Sequence, residues 1–228
     1  MDLPPKVYTK RQVELTKEQK QAYEQMRQQA LMVLDGDTFT TMNVLTQLMR
    51  LQQVVAGSLK NEDGETITIK NNRLQTVLDI LEETQGKVVI FAVFRSDIEQ
   101  LAKLLAEKYG TNAVATYYGE TPQDERQNII TRFQDPDSEL RYFISNPQTG
   151  GRGITLTQAK AMIFYSNSYD LELRIQAEDR IHRIGQEHSC TYIDLVSPDT
   201  VDEKILQSLL DKVQISNEVL GEVRQWFD

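Results

Sequence analysis

Two arginines, Arg180 and Arg183, stand three positions apart in "QAEDRIHRIGQ", one helical turn and two beyond Gln176. Spacings of i, i+4 and i+7 put all three on one narrow arc if the segment is helical. Leu173, Ala177, Ile181 and Ile184 make the adjoining apolar stripe. The guanidinium groups are therefore expected at the seam of a buried face. A guanidinium is charged at any physiological pH, and its planar fork can donate two hydrogen bonds to one oxyanion. Binding of phosphate is the chemistry this arc suits. The plainer reading is a solvated face in which Asp179 and Arg183 form an ordinary i, i+4 ion pair.

Three further segments offer related chemistry. In "SNPQTGGRGITL", Gly150, Gly151 and Gly153 allow close backbone approach and positive φ, and Arg152 adds a donor. "FAVFRS" presents Phe94, Arg95 and Ser96 at the exit of an apolar run, an aromatic face beside a cation. "YYGETPQDERQ" places Gly119 and Thr121 before a helix, whose free N–H groups favour phosphate oxygens. Each also has a structural reading: Phe94 as core, Thr121 as a cap, the glycines as a tight connection.

Other chemistries lack their residues. No G-x-x-x-x-G-K-[ST] phosphate loop occurs, and no acidic pair follows an apolar strand to hold magnesium. His182 and His188 have no partners at metal-ligand spacing and are expected to face solvent, so no metal site is expected. The single cysteine, Cys190, excludes an internal disulfide and has no arranged base. "GGRG" does not make G-x-G-x-x-G, which counts against a dinucleotide enzyme.

The elements that must position these residues follow from periodicity. "LTKEQKQAYEQMRQQALMVL" opens with a capping box, Thr16 and Gln19. Val44, Leu45, Leu48, Leu51 and Val55 then recur at helical spacing up to Gly57, and "SLKNEDGETITIK" reads as a hairpin about Asp63-Gly64. From Asn71 helices alternate with short apolar strands. Leu74, Val77, Leu78 and Leu81 mark a helix ended by Gly86, and "KVVIFAVF" reads as a strand buried on both faces. A helix capped by Ser96 and Glu99 runs to Gly110. Then follow "AVATYY", a helix capped by Thr121 with Pro122 in its first turn, "LRYFIS", "AMIFYS", the helix "LELRIQAEDRIHRIG", "CTYIDLVS" and "TVDEKILQSLLDKV". The alternation predicts an α/β fold, a three-layer parallel sheet with an N-terminal helical segment and a C-terminal helical tail. Ligands in such sheets bind beyond the carboxyl ends of the strands. The expected division is 1–70, 71–212 and 213–228, with Trp226 and Phe227 in the tail.

Net charge is −9, so any nucleic-acid contact must be focused rather than diffuse. No apolar run has the length of a bilayer span and no signal peptide is evident, which predicts an intracellular, cytoplasmic protein without membrane contact.

Taken in order, "KVVIFAVFRSDIEQLAKLL", "YYGETPQDERQNIITRF", "NPQTGGRGITL" and "YSNSYDLELRIQAEDRIHRIGQ" resemble the carboxy-terminal RecA-like lobe of Swi/Snf-type ATPases of the superfamily-two helicases, with wording similar to bacterial and phage members. The likeness runs from about Asn71 to about Leu210, and "LPPK" and "LMRLQQVV" are similar to the family's inter-lobe segment. It implies that ATP and magnesium are held mainly by an N-terminal P-loop lobe absent from this chain, on the same full-length polypeptide or a separate subunit. Arg180 and Arg183 would be arginine fingers, with Gln176, Gly153 and Thr155 touching nucleotide. Phe94, Arg95, Ser96, Gly119, Thr121, Thr149, Gly150, Gly151 and Arg152 would face the backbone of double-stranded DNA. Two residues depart from the family pattern: Arg152 where many members have an apolar residue, and Thr155 where many have asparagine. The implied function is half of an ATP-dependent DNA translocase or remodelling motor, inactive as an isolated lobe. The alternative is a non-catalytic module that binds nucleic acid or protein and regulates a partner.

Overall fold

Every residue of "KVVIF" is buried, as a strand covered on both faces requires, and the segment forms β4, Lys87–Phe91. The remaining apolar runs form β5 (Val114–Tyr117), β6 (Tyr142–Ser145), β7 (Ala159–Phe164) and β8 (Cys190–Val196). One sheet takes the order β1-β8-β7-β4-β6-β5, where β1 is Lys6–Gln12. The pairs β8–β7, β7–β4, β4–β6 and β6–β5 are all parallel. Strand β1 did not emerge from the sequence: "KVYTKRQ" is exposed nearly throughout and carries no apolar alternation. Lysine-rich edges of this kind blunt further strand pairing.

The computed structural model describes residues 3–35, 41–60, 64–150 and 153–211. Gly151, Arg152, Asp63 and the tail with Trp226 and Phe227 lie outside the described residues. The chain divides into two compact units, Met1–Arg11 with Arg73–Ser168 and Glu172–Leu195, and Gln12–Asn72 with Tyr169–Leu171 and Val196–Asp228.

In the first unit the sheet is flanked by α3 (Arg73–Glu83), α4 (Arg95–Tyr109), α5 (Gln123–Gln134), the short α6 (Pro147–Gly150) and α7 (Leu171–Glu178). Its core gathers Phe91, Phe133, Phe143, Phe164 and Tyr192, each fully or almost fully buried. Phe143 stacks on Tyr117 and meets Phe133 edge-on, both at 5.4 Å between ring centroids.

The second unit holds α1 (Lys17–Asp35), α2 (Thr41–Ala56), the antiparallel pair β2 (Ser58–Lys60) and β3 (Thr66–Thr68), and α8 (Val201–Leu210). The capping box forms reciprocally: Gln19 N donates to Thr16 Oγ1 at 3.2 Å, and Thr16 N to Gln19 Oε1 at 3.1 Å. The Gln19 amide also donates to the carbonyls of Val54 and Val55 in the last turn of α2, at 3.0 and 2.9 Å, where helix carbonyls lack intrahelical partners. Val44, Leu48, Leu51 and Val55 pack there with Ile69 and Ile205. Gly57 follows α2 with φ +98°, a conformation only glycine adopts readily.

Several predicted helix boundaries are corrected. Helix α4 starts at Arg95 with Phe94 in the cap position and no side-chain cap, so Ser96 and Glu99 form no capping box. Helix α5 starts at Gln123 with Pro122 as its cap, again without a side-chain bond. Helix α3 ends at Glu83, ahead of Gly86. Among the described residues no helix is long and apolar enough to cross a membrane.

Candidate functional site

The candidate residues fall into two groups at opposite ends of the sheet. The loops after β4, β5 and β6 leave the carboxyl ends of those strands, as expected. Arg180 and Arg183 instead stand between α7 and β8, at the amino end of β8, and Thr155 lies just ahead of β7. The segment from Ser145 to Ala159 thus runs from one end of the sheet to the other.

Helix α7 ends at Glu178, so the arginines do not ride on it. Backbone bonds from Arg180 N to Ala177 O and from Ile181 N to Glu178 O reach back only three residues, which tightens the chain and shifts its phase. Ile181 stays in the core, but Ile184 is 93% exposed and leaves the predicted stripe. Arg180 is half-buried: its Nε donates to Gln176 O at 2.8 Å and its Nη1 to Ile154 O at 3.4 Å. The Arg180 carbonyl accepts from Leu156 N at 2.9 Å. Arg183 is exposed and donates from Nη1 to Thr155 Oγ1 at 3.1 Å. The Gln176 amide turns away, donating to Glu172 Oε1 at 2.8 Å. Gly153 is exposed with φ +67°.

Neither arginine forms an ion pair among the described residues. Asp179, the expected partner of Arg183, faces Lys6 Nζ at 3.7 Å instead. Burial, together with the charge of Arg183, holds the Arg180 guanidinium below its ordinary value. Arg180 and Arg183 line an open cleft of about 490 Å³ with Leu3, Asp179, His182 and Ile184. Asp179 offsets part of the repulsion between the two arginines but forms an ion pair with neither, so an anion entering the cleft would relieve the rest.

At the carboxyl ends the outcome differs residue by residue. Phe94 is 8% exposed, so its ring belongs to the core and cannot stack on a base. Arg95 is exposed but bound by two carboxylates, Glu99 Oε1 at 2.6 Å from its Nε and Glu120 at Nη1; that pairing joins the loop after β4 to the loop after β5. Ser96 is half-buried within α4. Thr121 is buried and caps nothing: its hydroxyl accepts from Tyr118 N at 3.0 Å and donates to Thr116 O at 3.1 Å. Gly119 is exposed. Arg126 clamps this turn by donating to the carbonyls of Thr121, Tyr118 and Gly119. Thr149 N donates to Asn146 Oδ1 at 2.8 Å. Gly150 is needed for close packing rather than positive φ, since a Cβ there would lie 2.4 Å from Ser145 Oγ and 2.8 Å from Phe91.

Sequence reasoning missed a third arginine. Arg174 is buried, with Nη1 2.6 Å from Asp194 Oδ1 and from Asn167 Oδ1, Nε 2.8 Å from Glu178 Oε1, and its guanidinium 3.5 Å above the Phe164 ring centre. His182 was expected in solvent, but it is half-buried and its Nε2 meets Pro4 O at 2.7 Å. Cys190 is buried, and burial pushes its thiol up to about 11. Among the described residues no group of three His, Cys, Asp or Glu is placed to hold a metal ion.

Residues 70–185, which carry both loop groups and the arginine turn, match the Helicase conserved C-terminal domain. The chain belongs to that family. It is 28% identical over 237 residues to the human SWI/SNF-related matrix-associated actin-dependent regulator of chromatin subfamily A member 1, which covers 97% of this chain and 22% of the relative. The chain thus spans about a fifth of that relative's length. The Sulfolobus solfataricus SWI2/SNF2 ATPase core in complex with dsDNA aligns with TM-score 0.75 and 25% identity, over 99% of this chain and 48% of that one. The C-terminal part of the Fun30 ATPase domain shares the fold at TM-score 0.75 and 20% identity, over 99% of this chain and 97% of that one. This helicase C-terminal domain is a carboxy-terminal RecA-like lobe of the Swi/Snf type. A lone aspartate inside the apolar run "TYIDLV" was the available signal for its buried network.

Proposed function

We propose that this lobe is one half of an ATP-driven motor that moves along double-stranded DNA, and that it supplies Arg180 and Arg183 to the phosphates of a nucleotide held by a P-loop lobe. The observation that carries the reading is the arginine turn itself. Both guanidinium groups line an open cleft, they repel one another, and neither has a carboxylate partner among the described residues. Arg183 already meets Thr155, so the Thr155 hydroxyl holds the fork in the cleft and keeps its own hydrogen to donate to the nucleotide.

ATP, with magnesium held by the other lobe, would supply the phosphoanhydride whose cleavage drives the motor. What this chain's residues contribute is positive charge, preorganised where negative charge develops. Such arginines are worth about 10³–10⁵ in rate. Gln176 fixes Arg180 through its backbone carbonyl, and Gly153 leaves the approach beside it open.

At the other end of the sheet, the loops 94–96, 119–121 and 149–152 are the proposed DNA contacts. Phosphate contacts carry no sequence information, which suits a motor that tracks any duplex. Arg95 reaches a phosphate only by exchanging Glu99 and Glu120 for it, so its share in binding is small. Support for duplex DNA comes from the Sulfolobus relative, which was solved as its ATPase core with dsDNA.

The test compares this 228-residue chain with a two-lobed protein that contains it. The chain alone is expected to hydrolyse no ATP above background, with or without duplex DNA, while the two-lobed form is DNA-stimulated. DNA-stimulated turnover by the purified chain alone would rule out a nucleotide cradle on another lobe.

A further inference from the structure

The turn that carries the arginines is held by bonds to its own neighbours and to the segment entering β7, and a further set of contacts reaches it from Pro4 and the start of β1. Alternate side chains of an extended chain share one face, and Lys6 and Tyr8 do so here, with the backbone of Pro4 just ahead of them. The Pro4 carbonyl meets His182 Nε2 at 2.7 Å. Lys6 Nζ lies 3.0 Å from Glu178 Oε2 and 3.7 Å from Asp179 Oδ1. Tyr8 donates its hydroxyl hydrogen to Glu178 Oε2 at 2.6 Å. The Tyr8 ring also stacks on Tyr192 at 5.1 Å, and the Tyr192 hydroxyl donates to Glu178 O at 3.1 Å.

Glu178 is the joint. Its side chain is 10% exposed, with Oε1 on Arg174 and Oε2 on Tyr8 and Lys6. Behind it, Arg174 is fixed by Asp194 and Asn167. One face of Glu178 is therefore anchored in the core, while the other is set by a solvent-lined edge strand. The next residues in the chain are the arginine turn.

We propose that residues Pro4–Tyr8 are a strap that sets the position of the arginine turn, with Lys6 and Tyr8 as positioning residues acting through Glu178. The catalytic part of this inference rests on the reading of Arg180 and Arg183 given above. A misplacement of about 1 Å at a catalytic group lowers rates by about 10²-fold. Nucleotide affinity is set by the other lobe and is spared.

Two readouts separate the strap from that reading. In the 228-residue chain, amide hydrogen exchange at Arg180, Ile181 and His182 is expected to quicken about tenfold in Tyr8→Phe and in Lys6→Ala, the size a charge-assisted hydrogen bond supports. Amides of β4 and β7 keep their protection, and Lys6→Arg restores the wild-type rates. Unchanged exchange at those three amides overturns the strap. In a two-lobed protein, Tyr8→Phe is expected to lower kcat about tenfold or more and to leave KM for ATP within about twofold. Faster exchange with unchanged kcat, in a protein where Arg183→Ala abolishes turnover, also overturns it. If Arg183→Ala itself leaves kcat unchanged, the arginine reading fails, and exchange alone decides the strap.

Discussion

Arg183 and Thr155 are joined by a 3.1 Å hydrogen bond from a guanidinium Nη1 to a hydroxyl, linking the turn after α7 to the segment that enters β7. Arg174, on α7 itself, is buried against two carboxylates. These arginines do different work, and stability measurements should separate them.

Arg174→Ala leaves Asp194 buried without its cation and Glu178 with Lys6 alone. The expected loss is about 3–5 kcal/mol, typical of breaking a buried pair from one side. Arg183→Ala removes only an exposed contact and should change stability by no more than about 0.5 kcal/mol. Urea denaturation of both variants checks this, and equal losses would show that Arg183 is structural.

Gly150 and Gly119 make a matched pair. A methyl group at Gly150 collides with Ser145 and Phe91, whereas at Gly119 nothing lies within 4 Å of an added Cβ. Gly150→Ala should destabilise by about 1–3 kcal/mol through overpacking. Gly119→Ala should be nearly neutral, as the thermal midpoints of the two variants would reveal.

Glu178 gives the fold a defined acid sensitivity. Burial pushes its carboxyl upward, but hydrogen bonds from Tyr8, Arg174 and Lys6 and the charge of Arg174 outweigh this and hold it below the usual carboxylate range. A depressed pKa contributes stability that is complete above the unfolded value and is lost as pH falls through the folded one. Of the groups around it, Lys6 and Arg174 are the cations, Tyr8 is a neutral donor, and Asp194 is held by Arg174. The stability gap between wild type and Glu178→Gln should be constant near neutrality and shrink as the pH falls below the ordinary carboxylate range. A gap that widens on acidification would contradict the assignment.

Cys190 should resist alkylation. Its thiol is buried and raised to about 11, so little thiolate forms and reagents have no access. Iodoacetamide at pH 8 (an ordinary labelling condition) should label the chain only after denaturation, as intact mass will report.

The parallel sheet was legible because buried strands such as "KVVIF" and "YFIS" are apolar without interruption. The capping box of Thr16 and Gln19 was legible because its chemistry is local. What failed depended on phase or on distant partners. Ile184 was assigned to a stripe by assuming regular helical rotation, yet the chain tightens after Glu178 and turns that side chain outward. Thr121 resembles a cap but closes the preceding turn through Tyr118 and Thr116, a choice that depends on where Pro122 sets the helix start. Strand β1 could not be read because an edge strand's side chains need not be apolar. The pairing of Arg174 with Asp194 joins a helix to a strand, and no spacing rule encodes that contact.

The most direct test of the central claim is the turnover number of a two-lobed protein carrying this lobe, with Arg183→Ala and Arg180→Ala compared at saturating ATP and duplex DNA. The account predicts that kcat falls by about 10³-fold or more in each variant while nucleotide binding is retained. A kcat within about threefold of wild type in both variants, on the same scale of rate effects, would contradict it.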